Sequence, residues 1–364
     1  MYYVCQMFFL IKSVCFNKFI MYICIIFYST FLMATIKDIA LHTGLSITTV
    51  SIVLNGKGAR ISEDARRRIE EAKKILHYEP NMLASSLRRG STNIIGIVVS
   101  DLHPYFIKLA QLIERNIAKH GYQVLIVGSD ENDEKCEAMI DNFINFRVAG
   151  MVLAVTEGLK QRIVRLNKQR IPFVLIDRYF KGVSANVVIL DNYRSAYDAV
   201  NFLIKKGRTR IATFQYDTSM CHMEDRLNGY KAALKDNGIR YNKNLNPCIP
   251  FLDFDPNDIK LKIKEMVEVY NADAFFFQTT RVAVSVLQAI SDLKYRIPED
   301  ISIIFFHDND FFKLIKPSIT AQYQPLEEMA EECVNILLSE MKGELTTKVR
   351  RVFPATIIHE REST

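Results

Sequence analysis

Between residues 92 and 364 the chain reads as apolar runs separated by stretches of helical spacing. The runs Ile94–Val99, 124–127, 151–155, Phe173–Ile176, Val187–Leu190, 211–214, Ala274–Phe277 and 301–306 are almost unbroken by polar residues. Strands buried on both faces carry that pattern. Segments such as 107–120 and 136–146 instead repeat apolar residues at helical intervals. Strands alternating with helices predict parallel sheets covered on both sides.

The pattern ahead of residue 92 is different. Thr35 followed three residues later by Asp38 is a capping-box signature and predicts a helix over 36–42. Gly44 permits a left-handed turn, and Ser46 is a second N-cap opening a helix to about Leu54. Counted from Ile36, a small residue stands fifth (Ala40), glycine ninth (Gly44) and a branched apolar residue fifteenth (Val50). Ile39, Leu45 and Val53 fill the neighbouring inward positions. This is helix-turn-helix spacing: alanine lets two helices approach, glycine makes the turn, and valine closes a small core. Ser62, with Glu63 and Asp64 behind it, caps a third helix running to about Tyr78, with Ile69, Ala72 and Leu76 as its buried stripe. Pro80 ends that helix, and 81–90 reads as one short helix bounded by Gly90.

Charge sharpens the division. The net charge is +6 over 364 residues. Residues 33–91 hold ten Lys or Arg and six Asp or Glu, whereas 92–364 hold 35 of each and cancel. A basic head on a neutral body is the footprint of a nucleic-acid binder. Residues 1–32 belong to neither part: ten of the 32 are Phe or Tyr, and none is Asp, Glu, Arg, Ala, Gly, Pro or His. The 18 uncharged residues from 19 to 36 are long enough to be a membrane-span candidate. Three readings compete: a signal peptide, a membrane anchor, or an AT-rich upstream segment ahead of a true start at Met33. No small-residue cleavage site follows the apolar stretch, which counts against the signal. The composition favours the start at Met33.

Candidate chemistry is sparse. Seven cysteines, at 5, 15, 24, 136, 221, 248 and 333, show no C-x-x-C spacing, which argues against a zinc site or a disulfide framework and for a reduced compartment. There is no G-x-G-x-x-G, Walker loop, G-x-S-x-G or H-E-x-x-H. His307-Asp308-Asn309-Asp310 is read as a polar loop rather than a metal site. No enzymatic activity, cofactor or metal is expected.

Residues 35–101, from TIKDIALHTGLSITTVSIVLNGKGARIS to NIIGIVVSD, closely resemble the start of a LacI/GalR-family transcriptional regulator, and the resemblance extends over 34–364. It implies a small all-α helix-turn-helix head (33–80), a hinge helix (81–91) and an α/β two-lobed periplasmic-binding-protein-like body with parallel sheets (92–364). The first lobe is expected over 92–192 with a return near 322–342, and the second over 193–321 with a strand near Ile357. In the recognition helix, Ile47, Thr48 and Ile52 would face the groove, with Ser46, Thr49, Ser51 and Asn55 toward phosphates. Arg60, Arg66 and Arg67 either touch the DNA backbone or form a solvated face. In the hinge, Leu87 would wedge a central base step, Ala84 would let two hinge helices approach, and Arg88 and Arg89 would lie near phosphates. Ile52 departs from the family, where Arg or another polar residue is common. An isoleucine cannot read guanine bidentately but can meet thymine methyls, which predicts an operator richer in A·T.

For the body, the resemblance implies a ligand at strand carboxyl ends, between the lobes. Asp101-Leu102-His103-Pro104-Tyr105-Phe106 matches the family's turn after the first strand and offers Tyr105 and Phe106 as an aromatic wall. Asp177 ends the fourth strand. Arg226-Leu227-Asn228-Gly229-Tyr230 matches an R-x-x-G-aromatic motif whose arginine would reach the ligand. Two departures stand out: Thr279-Thr280 replaces Asn-Asp, and His307 stands where a ligand-binding Asp is common. Fewer acids beside Arg226 and His307 suit an anionic ligand such as a sugar phosphate or uronate. The implied protein is a homodimeric, cytoplasmic repressor that binds a pseudo-palindromic double-stranded DNA operator under control of a small-molecule effector, a sugar or sugar derivative. The alternative is a membrane-tethered or exported sugar-binding protein, against which the helix-turn-helix argues.

Overall fold

The computed structural model describes residues 34–54, 61–78, 92–354 and 357–364. The segment 1–32, the hinge expectation over 81–91, and Asn55, Arg60, Ala84, Leu87, Arg88 and Arg89 lie outside the described residues. The chain separates into two compact units, Met1–Arg88 and Arg89–Thr364.

The described part of the first unit is three helices, α1 (Ile36–Thr43), α2 (Ile47–Leu54) and α3 (Glu63–Ile75). Asp38 closes the start of α1 by accepting from both the backbone N–H (2.8 Å) and the hydroxyl (2.7 Å) of Thr35. Gly44 takes φ +65°, the left-handed turn its missing side chain permits. Ile39, Ala40, Val50, Val53, Ile69, Ala72 and Tyr78 make the core, with Leu45 and Leu76 packed against it. The third helix stops three residues short of the expected Tyr78. His77 turns left-handed, its N–H reaches the Lys74 carbonyl and Tyr78's reaches that of Lys73, a Schellman closure that folds the Tyr78 ring back into the core.

The second unit is two α/β lobes. Its elements in order are β1 (Ile94–Val99), α4 (Pro104–Ala118), β2 (Gln123–Gly128), α5 (Asp133–Asn145), β3 (Gly150–Leu153), α6 (Lys160–Lys168), β4 (Phe173–Ile176), β5 (Val187–Leu190), α7 (Asn192–Lys205), β6 (Ile211–Ala212), β7 (Gln215–Asp217), α8 (Cys221–Asp236), β8 (Cys248–Pro250), α9 (Pro256–Glu268), β9 (Ala274–Phe277), α10 (Ala283–Leu293), β10 (Ser302–Phe305), β11 (Thr320–Gln322), α11 (Leu326–Lys342), β12 (Arg350–Phe353) and β13 (Ile358–His359). The first lobe's sheet has the order β12-β5-β4-β3-β1-β2 and is parallel throughout. The second lobe's sheet has the order β13-β11-β10-β9-β6, with β13 antiparallel at its edge. The chain passes between lobes after β5, after β11 and after β12, so each lobe closes only when the C-terminal strands return to it.

Two elements differ from the sequence pattern. The apolar run 211–214 is not one strand: β6 ends at Ala212, and the Gln278 side chain then donates to Thr213 Oγ1 (3.1 Å) and the Phe214 carbonyl (3.0 Å). The backbone leaves the sheet there and pairs instead as β7 with β8. The edge strand β12 was not foreseen, because its Arg350-Arg351 start hides it among polar residues.

Candidate ligand cleft and DNA-reading helix

Strand order places the cleft. Most residues that line it follow the carboxyl ends of β1, β4, β9 and β10, and His222, Met223 and Arg226 enter from α8. Tyr105, Phe106, Asp177, Arg226, Thr279 and His307 all line one narrow cleft, whose free volume is about 40 Å³. The structure therefore brings together all six body residues singled out from sequence.

Their contacts are specific. Tyr105 donates its hydroxyl to Asp177 Oδ1 at 2.9 Å and stacks on His307 with ring centroids 4.6 Å apart. Phe106 is buried in the core below and lies 5.7 Å from the Arg178 guanidinium. Arg226, only 2% exposed, donates from Nε to Asn192 Oδ1 (2.8 Å) and from Nη1 to the Gln278 carbonyl (2.7 Å). Its guanidinium sits 3.8 Å from the Phe306 ring centroid. Burial lowers the Arg226 pKa to about 10. Burial, reinforced by the charge of Arg226, holds His222 and His307 well below the usual histidine range, so both are neutral at pH 7. Asp177 is pushed the other way, upward, again chiefly by burial. Thr279 caps the short turn after β9 by accepting from the Arg281 N–H at 3.1 Å, so its hydroxyl already has a structural partner.

The sequence reading missed a buried ion network. Arg178 grips Glu131 with two bonds, Nη1 to Oε2 at 2.7 Å and Nη2 to Oε1 at 2.6 Å. Arg281, from the second lobe, donates to Glu131 Oε1 (3.1 Å) and to Asp101. Asp101, Glu131, Arg178 and Arg281 are each the first or second charged residue after a strand, and that position was the signal available for finding them. Two carboxylates, Asp101 and Asp177, line the cleft walls, away from the two positions where acids were expected and absent. Further bonds join the lobes at the rim: Glu157 accepts from Thr218 (2.8 Å), Tyr179 donates to Asp225 (2.9 Å), and Lys181 pairs with Glu224 (2.7 Å).

In the head, α2 buries Val50 and Val53 and turns Ile47 (48% exposed) and Ile52 (37% exposed) outward with Thr48. All three side chains are open to solvent in the free protein. Ser46 accepts from the Thr49 N–H (3.1 Å) and bonds the Thr49 hydroxyl (2.8 Å), so this pair caps the helix in the free protein. Arg67 pairs with Asp64 at 2.8 Å on the surface. Arg68 ties α3 to the Thr43 carbonyl at the end of α1.

The described residues comprise a helix-turn-helix head and, in the second unit, two lobes with a polar cleft between them. The family model described as bacterial regulatory proteins, lacI family, matches residues 35–81, and one described as periplasmic binding protein-like domain matches 200–364. The chain thus carries a lacI-family DNA-binding region ahead of a periplasmic binding protein-like domain. It is 29% identical over 329 residues to the HTH-type transcriptional regulator GalR of Escherichia coli K12, covering 90% of this chain and 94% of that protein. It is 29% identical over 336 residues to the ribose operon repressor of the same organism, covering 91% of this chain and 100% of that protein. Its fold matches the structure of the Lac repressor dimer bound to operator and the anti-inducer ONPF with TM-score 0.79 at 21% identity, covering 92% of this chain and 99% of that one.

Proposed function

We propose that this protein is a sequence-specific DNA-binding transcriptional repressor, acting in the cytoplasm as a homodimer and controlled by a small molecule held in the cleft. The observation that carries the reading is the pairing of two features in one chain. One is a capped α2 that exposes Ile47, Thr48 and Ile52. The other is a cleft whose two walls belong to different lobes. GalR, matched over nearly its whole length, is named a transcriptional regulator, and the ribose operon repressor, matched over its whole length, carries a sugar in its name. A sugar or sugar derivative is the effector class this supports. Among the described residues no helix is long and apolar enough to cross a membrane.

Dimerisation has a candidate surface. The edge strand β2 leaves Leu125 and Ile126 about 40% exposed, and Leu102 (59%) and Ile107 (52%) are exposed on the segment after β1. A second copy covering them would bring two heads to one pseudo-palindrome. The family resemblance assigns contact with that DNA to Leu87, Ala84, Arg88, Asn55 and Arg60, which lie outside the described residues.

Selection of random duplexes by the full chain tests the reading. The expected product is a palindrome with a flexible pyrimidine–purine step at its centre and A·T pairs opposite Ile52. Ile52→Arg is expected to move that position to guanine, with about 1–3 kcal/mol of discrimination. Failure to enrich any sequence, or guanine opposite the wild-type Ile52, contradicts it.

A further inference from the structure

The hydrogen bonds of the cleft are unevenly spent. Most acceptors are used: Glu131 takes Arg178 and Arg281, and Asp101 takes Arg281 and the His103 N–H (3.0 Å). Asp177 takes Tyr105 on one oxygen and keeps the other 3.9 Å from Arg178 Nε. The donors are in surplus. Arg226 bonds only neutral acceptors, the Asn192 amide and the Gln278 carbonyl, plus the Met223 sulfur at 3.8 Å. Among the described residues no carboxylate comes within ion-pair distance of it, and Nη2 makes none of its bonds. His307, 9% exposed, has its Nε2 buried without a partner. Asp177 is the main opposing charge acting on Arg226 but stays beyond ion-pair distance, so part of the cost of burying the guanidinium remains and is recovered when an anion arrives.

We propose that the ligand of this cleft is a small polyol bearing one oxyanion, a carboxylate or a phosphate, which Arg226 grips beside His307 while a hydroxyl binds the free oxygen of Asp177. The inference rests on the cleft being the effector site and adds the charge of the effector to it. Arg178 and Arg281 do not compete for the anion, because Glu131 and Asp101 already neutralise them. The planar guanidinium, held from two sides by Asn192 and Gln278 and from a third by the Phe306 face, is oriented before the ligand binds. A fork fixed in that way suits a carboxylate or phosphate better than a single hydroxyl.

Calorimetry on the full chain with glucose, galactose, glucuronate, galacturonate and glucose 6-phosphate tests this. At least one anion is expected to bind tenfold or more tighter than its neutral parent, and whether a uronate or the phosphate binds separates the two sources of charge. Arg226→Gln should abolish the preference. Because a change at a buried arginine can disturb folding, His307→Asp serves as a second variant. It places a negative charge on the same wall and should weaken the anion tenfold or more while the neutral parent keeps or gains affinity. A neutral sugar binding as tightly as its acid, an anion indifferent to His307→Asp, or no binding by any of the anions overturns the proposal. The effector-site reading itself fails only on a different result, namely that no small molecule, charged or neutral, alters DNA binding.

Discussion

Gly229→Val is expected to destabilise the second lobe by about 3 kcal/mol, the upper end of what overpacking costs, because the obstacle is backbone. A Cβ at 229 would stand 2.2 Å from the Tyr193 carbonyl oxygen and 3.0 Å from both Ala196 Cβ and the Tyr197 nitrogen. These atoms belong to α7, and α8 crosses it at this point. No side chain can rotate away, so the helices must separate. Even Gly229→Ala, which gains about 1 kcal/mol of helix propensity, should lose more than that to the clash. The consequence reaches the cleft. Arg226 lies three residues earlier on the same face of α8, and its Nε is held by Asn192 at the start of α7. Separating the helices takes Arg226 off Asn192, so both variants should bind effector at least tenfold more weakly. Urea unfolding and calorimetry check the two effects; a loss of stability below about 0.5 kcal/mol would contradict the packing argument.

Glu131→Gln is expected to cost about 3–5 kcal/mol, the usual penalty for removing one partner of a buried ion pair. The side chains of Arg178 and Glu131 are 5% and 3% exposed. The glutamine keeps the shape but presents an N–H₂ to one of two guanidiniums. Arg178 and Arg281 would then share Asp101 and Asp177 alone. Because Arg281 belongs to the second lobe and Glu131 to the first, the variant should also loosen the cleft. Faster hydrogen exchange at the backbone of 279–282 is the expected sign. The double change Glu131→Gln with Arg178→Met should recover part of the loss, since two neutral groups no longer leave a charge stranded. A single variant as stable as the wild type would show that solvent reaches this pair.

The sequence carried the head in detail because every signal there is local. Caps, a turn glycine and three inward residues lie within twenty positions, and each is required by helix geometry. The lobes were legible as alternation, since a strand buried on both faces admits few polar residues. The six body residues were placed by likeness to a family, not by periodicity. What stayed hidden is long-range. Glu131 meets Arg178 across 47 positions and Arg281 across 150, and only the closing of both lobes brings them together. The loss of acids at Thr279 and His307 was visible; the ion network around Glu131 was not. The R-x-x-G motif was recognised as a motif, yet the reason for its glycine is the Tyr193 carbonyl on another helix.

The most direct test of the account is the affinity of the full chain for its selected palindrome, measured with and without the small molecule that calorimetry places in the cleft. The account predicts a change of tenfold or more, about 1.4 kcal/mol of coupling, that disappears in Arg226→Gln while DNA binding without effector persists. Equal affinity with the cleft empty and occupied would contradict it.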